Sequence, residues 1–111
     1  MPWLNYAYCA FGGAFFTNAV PHFVSAVMGR PFQTPFAKPH GVGLSSSTVN
    51  ALWACFNLAV AYVLSYRLAG IDLHAGDQAM ALGLGILLCS VGLARLFGRL
   101  HGGNAPLGKP E

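Results

Sequence analysis

The sequence predicts an all-α integral membrane protein, a three-helix bundle with its first helix kinked at Pro21. Three observations predict it. Hydrophobic residues make up 55% of the 111-residue chain and charged residues only 8%, against roughly 25% charged in an ordinary soluble domain. Three stretches, about 5–29, 46–66 and 78–97, carry no charge before Arg95, near the end of the third. Each reaches the length of about 20 apolar residues, within about 17 to 25, that a helix needs to cross a bilayer. A soluble fold this small leaves roughly a third or more of its chain surface facing water. Six basic and three acidic residues cannot clothe that surface. In hydrocarbon the backbone must pair within each segment, so the stretches are expected as helices of one transmembrane domain, residues 1–101.

In the first helix, Trp3, Tyr6 and Tyr8 crowd the start, where rings with polar tips anchor to headgroups. Asn18, Pro21 and His22 make this span the least apolar of the three. Pro21 deprives the Thr17 carbonyl of its usual donor, which predicts the kink and an opening beside it. The connection GRPFQTPFAKPHGVG places Pro31, Pro35 and Pro39 four residues apart, so an extended or turned segment is expected. It reads as a stiff interfacial hairpin, with Phe32 and Phe36 dipping into the interface and Arg30 and Lys38 at phosphates. The alternative is a lid or a partner-docking surface.

The second helix starts at LSSSTVNALW, with Ser45 or Ser46 as cap and Leu44 as a hydrophobic staple. It ends at Tyr62 and Tyr66, a second aromatic anchor. The third starts at GIDLHAGDQAM, with Asp77 expected as its cap. The tail GGNAPLGKPE, residues 102–111, has no apolar periodicity and is expected to be disordered on the cytoplasmic side.

Charge orients the chain. Arg30, Lys38, Arg95, Arg99 and Lys109 fall on one side of a three-span topology, while Arg67 on the other is offset by Asp72 and Asp77. The positive-inside bias puts the N-terminus outside and the C-terminus in the cytoplasm. The net charge of +3 then serves topology and calls for no nucleic-acid partner. No Lys or Arg precedes Arg30, so a cleaved signal peptide is not expected.

Polar residues inside the spans align by depth. Counting about 1.5 Å per residue from the cytoplasmic end, His22 lies about 10 Å deep, and Asn18 and Asn57 both about 16 Å. Asn50 and Trp53 lie at about 6 and 10 Å, and Ser90 near the level of His22. Asn18, His22, Ser25 and Gly29 share one helix face, and Asn50, Ala54, Asn57 and Ala61 share another. Pairing is expected between Asn18 and Asn57, and between His22 and Asn50, Trp53 or Ser90. Asn18, His22, Asn50, Trp53, Asn57 and Ser90 are therefore the candidate ligand-contacting set. His22 is either a hydrogen-bonded structural residue or a ligand-contacting, proton-handling one. With no carboxylate in the spans, a neutral imidazole at pH 7 is expected.

Small residues recur every four positions, Ala51, Cys55 and Ala59 on the second helix and Ala81, Gly85 and Cys89 on the third. Such stripes let backbones approach closely, within the chain or against a second copy or a larger membrane protein. The three cysteines show no CxxC spacing and read as small packing residues. No carboxylate in a span supplies the acidic relay of a coupled transporter. His40, His74 and His101 fall in loops or near an end, so neither a bis-histidine haem nor a metal site is expected. The serines at 45 to 47 serve capping better than a hydrolase, and no strand precedes GLG to make a dinucleotide loop.

The runs NAVPHFVSAVMGRPFQTPF and GLSSSTVNALWACFNLAVAY resemble a group of uncharacterised small bacterial inner-membrane proteins with an Asn-x-x-Pro-His first helix, over roughly residues 5–66. The resemblance implies a bacterial inner membrane and carries no activity or site residues. The sequence thus points to a non-enzymatic subunit or accessory factor of a membrane assembly, homo-oligomeric or built on a larger partner. The alternative is a binder or carrier of a small hydrophobic molecule, a quinone or lipid, in the seam around His22. An enzyme ranks third and rests on His22 alone as acid or base.

Overall fold

The computed structural model describes residues 2–104. Three helices dominate: α1 (Pro2–Val27), α2 (Ser47–Tyr62) and α3 (Gly76–His101). Two short antiparallel strands, β1 (Phe32–Gln33) and β2 (Leu44–Ser45), pair Phe32 with Ser45 and Gln33 with Leu44 between the first two helices. The proline-rich connection is therefore a hairpin. Prolines at 31, 35 and 39 exclude helix, while the turn between the strands closes through Gly41 N–H to Thr34 O at 3.0 Å.

The helix ends follow local chemistry. Gly29, at φ 70°, lets the Arg30 N–H return to Ser25 O at 2.9 Å and close α1. Ser46 caps α2, its hydroxyl accepting from Val49 N–H at 3.2 Å. The chain then continues through a π-helical turn, Val63–Leu68, over which Tyr62 and Tyr66 stack at 5.4 Å. Gly102, at φ 75°, ends α3, and Asn104 Nδ2 reaches back to Ala94 O at 3.1 Å. The rest of the tail lies outside the described residues. Asp77 does not cap α3: the cap position is Ala75, which makes no side-chain bond. Asp77 lies two residues further on and instead accepts the Tyr6 hydroxyl at 2.6 Å, tying the starts of α1 and α3 together.

α1 occupies the middle. It packs antiparallel to α2 on one side and parallel to α3 on the other, while α2 and α3 scarcely approach each other. The three helices form an open layer rather than a closed bundle, so a cleft runs over α1 between its neighbours. Gly85 and Gly13 set the α1–α3 distance. A Cβ at Gly85 would collide with the Ala10 carbonyl, and one at Gly13 would collide with Leu82 O. The Ala81, Gly85, Cys89 stripe thus faces α1, and Cys89 Sγ contacts Ala14 O at 3.3 Å.

The corresponding stripe on α2 does not pack inward. Cys55 and Ala59 are exposed and Ala51 half-buried, whereas Asn50, Ala54, Asn57 and Ala61 are buried against α1. The inward face of α2 is set by its asparagines, because an amide left without a partner against apolar surroundings costs more than an alanine turned outward. Two segments, Ser47–Leu68 and Gly76–His101, are long and apolar enough to cross a membrane. α1, expected as a third, falls short of that apolarity because Asn18, Pro21 and His22 interrupt it, although it runs on through Pro21 to Val27. Large apolar side chains such as Phe11, Phe16, Leu52, Phe56, Leu84 and Leu88 are exposed on all three helices.

Candidate functional site

The regular rise of two antiparallel helices sets Asn18 opposite Asn57 and His22 opposite Asn50. Asn57 Nδ2 donates to Trp53 O, one turn back, at 2.8 Å. A backbone carbonyl can only accept, so the amide orientation is settled and Asn57 Oδ1 is left to accept from Asn18 Nδ2 at 3.0 Å. The Asn18 Oδ1 takes no donor among the described residues.

The second pair obeys the same logic. Asn50, fully buried, directs Nδ2 at the carbonyls of Phe32, Ser45 and Ser46 at 3.1, 3.2 and 3.0 Å. One side chain thereby anchors both strands of the hairpin to α2. Its Oδ1 must then be the acceptor in the 2.7 Å contact with His22 Nδ1. In the neutral ring, which suits a seam without a charged lining, the proton sits on Nδ1 and Nε2 is a bare acceptor. No protein donor occupies Nε2 among the described residues.

Aromatic rings surround the histidine. Phe32 lies edge-on at 5.4 Å, and Trp53 and Phe97 both at 6.3 Å. Phe32, expected at the membrane interface, turns inward instead, because Asn50 holds its backbone against α2. Phe36 stays exposed, with its ring edge-on to Trp53 at 5.0 Å. Beyond Phe32, His101 stacks on the same ring at 5.5 Å and bonds Gln33 Oε1 through Nε2 at 2.9 Å. The end of α3 is thus clasped to the hairpin.

Two cavities open in the cleft and share Asn18 and Trp53 in their walls. One, of about 150 Å³, is bounded by His22, Phe97 and the hairpin residues Thr34 and Pro35. The other, of about 220 Å³, lies further along α1 between Asn57 and Cys89. No Lys, Arg, Asp or Glu among the described residues lines either one. Among the described residues the Trp53 indole N–H is buried with no acceptor, a deficit worth about 1–3 kcal/mol when nothing answers it.

Five of the six candidate residues, Asn18, His22, Asn50, Trp53 and Asn57, gather in this seam. Ser90 does not: it is exposed and its hydroxyl donates to its own helix at Leu87 O, 2.9 Å away. A serine can satisfy itself on the preceding turn, so nothing obliges it to face inward. Sequence reasoning missed Phe97, His101 and Gln33. A signal for Phe97 existed, since the α3 stripe Ala81, Gly85, Cys89 continues at the same spacing through Leu93 to Phe97. Among the described residues, no three His, Cys, Asp or Glu side chains gather as a metal site would require. No family model, curated protein or solved structure matches this chain.

Proposed function

We propose that this chain is a polytopic membrane protein that holds a small, uncharged amphipathic molecule in the cleft between α2 and α3. The observation that carries the reading is the pair of neighbouring cavities over α1, walled largely by apolar side chains and sharing Asn18 and Trp53 in their walls. Pockets for small molecules have this make-up, mostly apolar walls with a few placed polar groups. Absence of charge from the lining argues against a carboxylate, phosphate or ammonium at the bound end. Exposed apolar residues on every helix suit lipid on the outside. We read the chain as lying in a bacterial inner membrane with its N-terminus outside, a reading supported by the distribution of Arg and Lys and by the resemblance noted above. Native mass spectrometry of the chain extracted in mild detergent is expected to show a small neutral amphiphile bound one to one. A chain that arrives empty under conditions that retain lipids refutes the reading.

A second reading, a subunit or accessory factor of a membrane assembly, draws on the outward stripe Ala51, Cys55 and Ala59. Small residues on a lipid-facing surface let another helix approach closely. Blue-native electrophoresis tests it: a strictly monomeric species with no crosslinked partner refutes it.

A further inference from the structure

We infer that the 32–45 hairpin is a lid over one end of the cleft, hinged at α2 and latched to α3 by His101. Such a lid governs access to the seam whatever the seam holds, and so goes beyond the reading above. Chain connectivity decides which side can open. The hairpin is continuous with α1 through Pro31 and with α2 through Ser46, so α3 is the neighbour it can leave. On the α2 side the buried Asn50 amide holds both strands, at Phe32 O and Ser45 O. On the α3 side the polar hold is His101, an exposed residue in the last turn. Its ring stacks on Phe32, which aims Nε2 at Gln33 Oε1.

The hairpin is braced to move as one piece. Thr34 Oγ1 lies 2.5 Å from Ser45 Oγ and accepts the Phe36 N–H at 3.2 Å, and His40 Nδ1 donates to Pro35 O at 2.6 Å. A Cβ at Gly43 would collide with the Lys38 carbonyl, so the turn is folded tightly on itself. Gln33, Thr34, Pro35 and Gly41 supply one wall of the 150 Å³ cavity that His22 also lines. Gln33 and Thr34 are buried there, 6% and 1% exposed, yet both are polar. Water can satisfy them once they swing out, while Phe32 stays behind on Asn50 and Phe36 is exposed already. Opening therefore uncovers little apolar surface, the condition under which a segment opens locally while the rest stays folded.

Access to the cavity can be read in nanodiscs with 2-(trimethylammonium)ethyl methanethiosulfonate, whose fixed charge bars approach through lipid. The full chain carries Leu93→Cys, at a cavity-lining position, with Cys55→Ala and Cys89→Ala. Cys9, fully buried in the first half of α1, stays as the internal control. Labelling at the two positions is followed separately by peptide mass spectrometry, and each rate follows the open population at that site. With His101 intact both positions should label slowly. His101→Ala is expected to speed labelling at position 93 about tenfold, the factor that one lost hydrogen bond gives, and to leave Cys9 unchanged. His101→Phe should give the same rise, since it keeps a ring to stack but cannot bond Gln33. Equal acceleration at Cys9 means that the whole fold has loosened, which overturns the lid. So does a rise in His101→Ala that His101→Phe lacks, because packing and not a latch was then lost. Labelling at position 93 that ignores His101, or that is already as fast as a free thiol with His101 present, overturns it too.

Discussion

Replacing Gly85 by alanine tests how α1 and α3 are held together. The added methyl would run into the Ala10 carbonyl, with the carbonyl carbon 2.6 Å away and the Ala10 Cα 2.9 Å away. All of these obstructing atoms are backbone, so no rotamer change relieves the clash and the helices must move apart. Overpacking of this kind costs about 1–3 kcal/mol, and the upper end applies because a whole helix pair is displaced. Gly83, on the same helix, is the internal control. A methyl there meets nothing within 4 Å, and replacing an exposed helical glycine by alanine stabilises by up to about 1 kcal/mol. The two substitutions, two residues apart and chemically identical, should therefore differ in sign. Equilibrium unfolding in mixed detergent micelles, followed by circular dichroism, measures both. If Gly85→Ala and Gly83→Ala are equally stable, α3 is not seated on α1 as described.

Asn50→Leu should destabilise the protein by about 2–4 kcal/mol, because the His22 Nδ1–H loses its acceptor and three carbonyls lose a donor; an unfolding curve unchanged from wild type would contradict the network. The Asn18–Asn57 pair should show a coupling of about 0.6 to 1.7 kcal/mol in a double-mutant cycle of leucine substitutions, and strict additivity would mean the amides do not meet. His101→Ala should speed hydrogen exchange in the 32–45 hairpin without altering exchange in α2, since the clasp to Gln33 and the stack on Phe32 are lost. Unchanged hairpin protection would show that the clasp does not restrain it.

The asparagine and histidine pairings could be anticipated because helix geometry converts sequence distance into depth. Asn18 and Asn57 count to the same level from the connection between α1 and α2, and amides that meet between two apolar helices have little to bond with except each other. The rotation of α3 resisted the same treatment. That helix is apolar almost all round, so no side chain is penalised for facing outward, and Ser90 bonds its own backbone wherever it points. The Ala51 stripe, open in the sequence to packing within the chain or against a partner, turns outward for a related reason. Small residues permit close approach without requiring it, whereas Asn50 and Asn57 require a partner and so decide which face of α2 turns inward.

Composition and spacing alone pointed to a mostly helical chain with stretches long and apolar enough to cross a membrane, and to facing amides and an imidazole on the first two helices. Those properties follow from local periodicity and from the penalty on unpaired polar groups. Tertiary structure alone decided that α1 lies in the middle, that α2 and α3 splay apart to leave cavities, and that the hairpin folds Phe32 beneath His22 while His101 clasps Gln33. Each of these depends on contacts between residues far apart in the chain. Close packing against a glycine and the orientation of a buried amide are set by neighbours that sequence distance does not reveal.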